Sequence, residues 1–134
     1  MTKGNIDVAL LFLRVWFGLE MAFAHGWPKM MKVFAGNFEF GDPIGVGPTL
    51  SLILAAVAEF VCGVLIALGL FTRLATIPYI ITMLVAALLV HYAAGDPWGR
   101  IANPLNYAVV AIAILIAGPG RLSLDHKLFV DSIK

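Results

Sequence analysis

The stretch R-V-W-F-G-L-E-M-A-F-A-H-G-W-P-K, residues 14 to 29, decides how the chain is read. Most of it has the character of a membrane-spanning helix, yet it carries Arg14, Glu20 and His25. An ionisable group in the hydrocarbon costs about 2.5–3.5 kcal/mol on insertion scales, so each needs a partner or a function. On a 3.6-residue repeat Arg14, Gly18 and His25 fall near one face, and Glu20 lies about 120° round from them. This helix is therefore expected to have neighbours on two sides. The rest of the chain reads as the surround that makes it tolerable.

Working outward, the composition supports a membrane protein. Of 134 residues, 61% are hydrophobic and 13% charged, and the mean hydropathy is +0.96. Soluble domains carry about 25% charged residues. The length accommodates about four spans of ~20 residues with short loops. We therefore expect one domain over residues 1–134: an all-α membrane protein, a four-transmembrane-helix bundle ending in a short amphipathic helix. A net charge of +1 with no basic patch points away from nucleic acid. The single cysteine, Cys62, excludes an internal disulfide and a C-x-x-C redox pair. The first apolar run is too long for a signal sequence and has no small-residue cleavage site, so it is expected to be retained.

Helix 1 is expected over about 7–26, with Asn5 or Asp7 as cap and Pro28 discouraging further helix. Residues 29–34, mixed basic and apolar, suit a short segment at the interface with Trp27 as anchor. Glycines and prolines from Gly36 to Pro48 break regular structure. Helix 2 is expected over about 49–71, with Glu59 as its single charge and Ala55, Ala56, Gly63 and Ala67 allowing close helix contact. A tight turn leads to helix 3, about 74–94, whose early Pro78 is tolerated. Helix 4 is expected over about 103–118, capped by Asn103 with Pro104 following, although that is short for a span and leaves room for a start one turn earlier. Ser123 caps a surface helix over about 123–133.

Four spans put both termini on one side, with Lys3, Arg73, Arg121, Lys127 and Lys134; Lys29, Lys32 and Arg100 lie on the other. The positive-inside rule then places both termini in the cytoplasm, and the membrane is expected to be a bacterial-type inner membrane. At about 1.5 Å per residue, Arg14 lies roughly 4 Å to the cytoplasmic side of the middle. Glu59 lies near the middle too, so Arg14 and Glu59 are expected to form a structural ion pair.

Glu20, His25 and His91 fall in the outer half of the bundle, with Asp96 just beyond. Two readings are open. These groups converge as a proton relay beside a quinone head group, or as a metal site; or the histidines are ordinary hydrogen-bonded residues at headgroup level. Metal is disfavoured because no H-x-x-H or H-x-x-x-H pair exists. No haem motif, Ser-His-Asp arrangement or phosphate loop is visible. Trp16, Trp27, Trp98, Tyr92 and Tyr107 line a pocket for a flat ligand or anchor the chain at the interface. Cys62 reads as a small packing residue.

R-x-x-x-G in helix 1 and H-G-x-x-K at its end, A-E-F-V-C-G-V-L-I-A-L-G-L-F-T-R across helix 2, and G-P-G-R-L-S-L-D after helix 4 together resemble the DoxX family. The ordered set covers nearly the whole chain. The resemblance implies a four-helix membrane bundle with roles for Arg14, Gly18, His25, Gly26, Lys29, Glu59, Gly63, Gly69 and Arg73. It also implies kinship with the membrane subunit of thiosulfate:quinone oxidoreductases and, for some members, with thiol and oxidative-stress systems. Asn106 stands where members often carry Glu, which puts a relay through that position in doubt.

The first functional expectation is a quinone-linked oxidoreductase subunit acting on a small sulfur or thiol-type reductant. Quinone would sit among His25, Trp27, His91 and Tyr92, with His25 or His91 exchanging its protons and Glu20 and Asp96 passing them outward. The alternative is a non-catalytic accessory subunit of a larger membrane complex. Besides the lipid bilayer, the expected partners are a membrane or periplasmic protein and, as an open option, further copies of the chain. A small-solute transporter is weaker, since no broken-helix repeat is evident.

Overall fold

The computed structural model describes residues 3–130. Four long helices pack side by side, and a short fifth closes one end. Helix α1 covers 3–34, α2 Pro48–Leu68, α3 Thr72–Tyr92, α4 Trp98–Ala117 and α5 Leu124–Phe129. The helices α2, α3 and α4 are long and apolar enough to cross a membrane. Helix α1, with its ionisable residues, packs along them as the fourth member of the bundle.

Helix α1 does not stop at Pro28. It widens over Met21–Gly26, where hydrogen bonds run to the carbonyl five residues back; Trp27 N–H donates to the Ala22 carbonyl. Trp27–Phe34 then continues as ordinary α-helix with Pro28 in its first turn. A proline ring collides with the carbonyl four residues behind it in a plain α-helix. The widened turn moves that carbonyl aside, so the helix passes through, as such bulges commonly permit. Residues 29–34 are thus the end of α1 rather than a separate interface segment. A similar widened turn interrupts α2 at Val57–Val61, and another forms the end of α3 at Ala86–Tyr92.

The other boundaries shift for local reasons. Helix α2 ends at Leu68 because Gly69 adopts φ 70° and the Leu70 N–H returns to the Leu65 carbonyl at 2.9 Å, a Schellman closure. Helix α3 therefore begins at Thr72, just beyond Phe71 in the left-handed region. Helix α4 begins at Trp98, behind extended Pro97, so Pro104 lies inside it rather than at its start. Ser123 does cap α5: its hydroxyl accepts from the His126 N–H at 3.2 Å. The part of the expected surface helix beyond residue 130 lies outside the described residues.

Close packing fixes α1 against α2. A methyl group on Gly18 would stand 2.6 Å from the Gly63 carbonyl oxygen, and one on Gly26 would run into the backbone of Phe60. Small residues at these points let the backbones touch, the usual basis of helix association in lipid. The core between the four helices contains Met21, Cys62, Ile66, Tyr79, Met83 and Tyr107.

Candidate functional site

Arg14 is fully buried, and its partners are carbonyl groups. Its Nη1 donates to Ile66 and Ala67 oxygens at 3.3 and 3.4 Å, and its Nη2 to the Leu122 oxygen at 2.6 Å. The Ile66 and Ala67 oxygens lie at the C-terminal end of α2, where the helix dipole attracts a cation, and the Leu122 oxygen lies between α4 and α5. The Asp125 carboxylate completes the lock by accepting from Phe71 and Thr72 N–H at 2.7 and 2.9 Å, at the start of α3. The expected Arg14–Glu59 ion pair is absent. Counting helix 1 as ending at Gly26 placed its middle too near the N-terminus. Arg14 instead meets α2 seven residues beyond Glu59, roughly 10 Å along the axis.

Glu59 pairs with Lys29. The Lys29 ammonium lies 2.6 Å from Glu59 Oε2 and 3.2 Å from the His25 carbonyl oxygen. Glu59 is 5% exposed, and the Lys29 side chain 22%. The pair exists because α1 continues past Pro28: one turn beyond His25, Lys29 reaches back to the widened turn that holds Glu59. Gly26 makes this reach short by bringing the two backbones into contact.

This pair forms part of the wall of a cavity of about 490 Å³ between α2 and α3, beneath residues 40–44. The rest of the wall is mainly apolar, including Leu54, Ile81 and Val85, with Ser51 and Thr82 as its hydroxyl groups. Asp42 ties down the covering loop, accepting from Val46 and Gly47 N–H, each at 2.9 Å, and from the Ser51 hydroxyl at 2.8 Å. The Ser51 bond, reinforced by the backbone donors, holds the Asp42 carboxyl below its usual range.

The residues expected to converge separate into two other groups. Tyr107 on α4 donates to Glu20. His25 Nε2 lies 3.8 Å from Glu20 Oε1, and the His25 ring packs edge-on against Tyr107 at 6.0 Å. At the end of α3, His91 Nδ1 meets Asp96 Oδ2 at 2.7 Å, and Arg100 reaches Asp96 Oδ1 at 3.3 Å. The His91 bond, then Arg100, holds the Asp96 carboxyl below its usual range. No hydrogen bond or ion pair joins these two groups among the described residues.

The residues expected around a quinone, His25, Trp27, His91 and Tyr92, share no hydrogen bond, ion pair or ring contact with one another among the described residues. Trp27 lies on Phe60, with ring centroids 5.3 Å apart, while Tyr92 and Trp98 are exposed. None of those four expected residues lines the cavity. Asn106 is exposed and shares no polar contact with Glu20, whose partner on α4 is the adjacent Tyr107. Sequence reasoning missed the Lys29–Glu59 pair, although H-G-x-x-K carried the signal: His25 and Lys29 share one helical face if Pro28 does not end the helix.

An all-helical bundle with three helices of spanning length and charge buried between its members defines an integral membrane protein. The chain belongs to the DoxX family, whose sequence profile matches residues 9–92. It is 34% identical to inner membrane protein YphA of Escherichia coli, over 76% of this chain and 78% of that one. It is 32% identical to the membrane protein Rv3486 of Mycobacterium tuberculosis, over 90% of this chain and 81% of that one. It is 28% identical to the Bacillus subtilis protein named "Putative oxidoreductase CatD", over 93% and 90% respectively. No solved structure matches the chain.

Proposed function

We propose that this protein is a quinone-linked oxidoreductase subunit acting on a small sulfur or thiol-type reductant, with the quinone head group held beside Lys29 and Glu59. It works in a bacterial inner membrane with α1 as a fourth span and both termini in the cytoplasm, the side favoured by the distribution of basic residues. The observation that carries the reading is a buried ion pair in the wall of a largely apolar cavity. An intramembrane charge facing a cavity is a functional-site candidate on physical grounds. The oxidoreductase name of the Bacillus subtilis relative points the same way.

The donor set suits a quinone carbonyl. An ammonium has three N–H donors. Glu59 and the His25 carbonyl occupy two of those on Lys29, leaving one for a ligand. A bound quinone would supply the two-electron acceptor or donor. Lys29 binds a carbonyl oxygen and favours negative charge developing there, because its positive charge is screened little in apolar surroundings. Glu59 fixes Lys29 in place through Oε2. The apolar wall formed by Leu54, Ile81 and Val85 takes up the ring and the start of the tail and excludes water.

The test is equilibrium binding of a short-chain quinone to the full-length protein in detergent. Lys29→Met and Glu59→Gln are expected to weaken binding about tenfold or more, the effect of losing a charge-assisted hydrogen bond. His25→Ala and His91→Ala are expected to bind nearly normally. Loss of binding in the histidine variants with retention in Lys29→Met would overturn this placement.

A further inference from the structure

We infer that the opposite end of the bundle carries a second site, which binds the phosphate of an anionic phospholipid between Arg73 and Arg121. This inference is independent of the quinone reading. A depression of about 610 Å³ lies where α3 begins, α4 ends and α5 folds back. Arg73 and Arg121 line it together with Phe71, Leu74, Pro119 and Phe129. Neither guanidinium has a hydrogen bond or ion pair to another side chain among the described residues. Arg73 is steered across the end of α4, where its Nη2 stands 3.3 Å from the point a Cβ on Gly118 would occupy.

The acids in the same depression are already engaged. Asp7 Oδ1 accepts from the Arg121 backbone N–H at 2.8 Å. Asp125 uses both oxygens on Phe71 and Thr72 N–H. Folding thus gives the carboxylates backbone partners and leaves the two guanidinium groups for an external anion. Guanidinium forks match phosphate oxygens in shape and charge.

Position selects a lipid as the source of that phosphate. Thr72 and Ala117 are the ends of two helices of spanning length, so the arginines lie where such helices leave the hydrocarbon. Phe71, Leu74 and Phe129 are exposed beside them, and the Phe71 and Phe129 rings pack together at 5.8 Å. Free phosphate has no use for this apolar floor, whereas a phospholipid places its acyl chains there and its head group between the cations.

The experiment is native mass spectrometry of the full-length protein, delipidated in mild detergent and offered phosphatidylglycerol, phosphatidylcholine or inorganic phosphate. Phosphatidylglycerol is expected to be retained in preference to phosphatidylcholine. Arg73→Gln and Arg121→Gln should each weaken it about fivefold, and the double variant about thirtyfold. Lys32→Gln, at the other end of the molecule, should bind as the parent does. Circular dichroism checks folding. Should the double variant unfold, Arg121→Gln alone carries the test, because its side chain has no hydrogen bond or ion pair to lose among the described residues. Equal retention of both lipids, or undiminished binding in Arg121→Gln, overturns the inference. So does inorganic phosphate binding as tightly as phosphatidylglycerol and displacing it, which would make this a site for the free anion.

Discussion

Lys29→Met separates what the buried pair does for the fold from what it does for binding. Glu59 is 5% exposed and has its charged partner at 2.6 Å. Removing Lys29 leaves an uncompensated carboxylate between packed helices, a change that costs about 3–5 kcal/mol in buried pairs. The Lys29 side chain keeps 22% of its exposure, so water screens part of the interaction and the expected loss is near the lower end, about 3 kcal/mol. Lys29→Met/Glu59→Leu replaces the whole pair by apolar groups and should recover most of that loss. Reversible unfolding by sodium dodecyl sulfate in mixed micelles, followed by circular dichroism, measures both values. The double variant, though stable, should still fail to bind quinone. A single-variant loss below about 1 kcal/mol, the range of a surface ion pair, would refute the burial argument. So would a double variant as unstable as the single one.

Three further outcomes are expected. Gly26→Ala should destabilise the protein by about 1–3 kcal/mol, the usual cost of overpacking, because the new methyl group meets the Phe60 backbone; Gly41→Ala, with open space around it, should be neutral in the same unfolding assay. Asp125→Ala should cost about 1–2 kcal/mol, as loss of a cap does, by freeing Phe71 and Thr72 N–H at the start of α3, again read by unfolding. Asp96 contributes stability in full above its unfolded value, ordinarily 3.8, and loses it as pH falls through its depressed folded value; thermal melts should show a decline across that interval that is weaker in Asp96→Asn.

The sequence made the helical class legible because long apolar runs separated by glycine and proline leave few alternatives. Gly63 and Ala67, two of the small residues of helix 2 expected to allow close contact, do mark a close approach, and Gly18 is the residue of α1 that meets them. The pairing of charges was not legible, and the cause was one residue. Pro28 normally argues against continuing a helix, and a widened turn at Met21–Gly26 lets α1 pass it. Ending the helix early shifted the estimated depth of Arg14 toward Glu59 and removed Lys29 from consideration. The convergence of His25 with His91 failed for a different reason. Similar depth does not make two groups neighbours when each has a nearer partner: Glu20 and Tyr107 for His25, Asp96 for His91.

The motifs that mark the family fall at two places in the structure, and this division gives them physical meaning. Arg14, Gly69 and the segment from Leu122 to Asp125 meet at one end. There a guanidinium satisfies carbonyl groups, and a carboxylate satisfies N–H groups across a tight turn. Among the described residues, the Arg14 Nε and the Thr72 hydroxyl are the buried side-chain atoms of that lock without a hydrogen-bond partner. His25, Gly26, Lys29 and Glu59 meet further along α1, where widened turns on α1 and α2 face each other. There the ammonium retains an unused donor in the wall of an apolar cavity. Arg14 is sealed inside the packed lock, whereas Lys29 stands in the wall of the cavity. That difference favours Lys29 over Arg14 as the charge that meets a ligand.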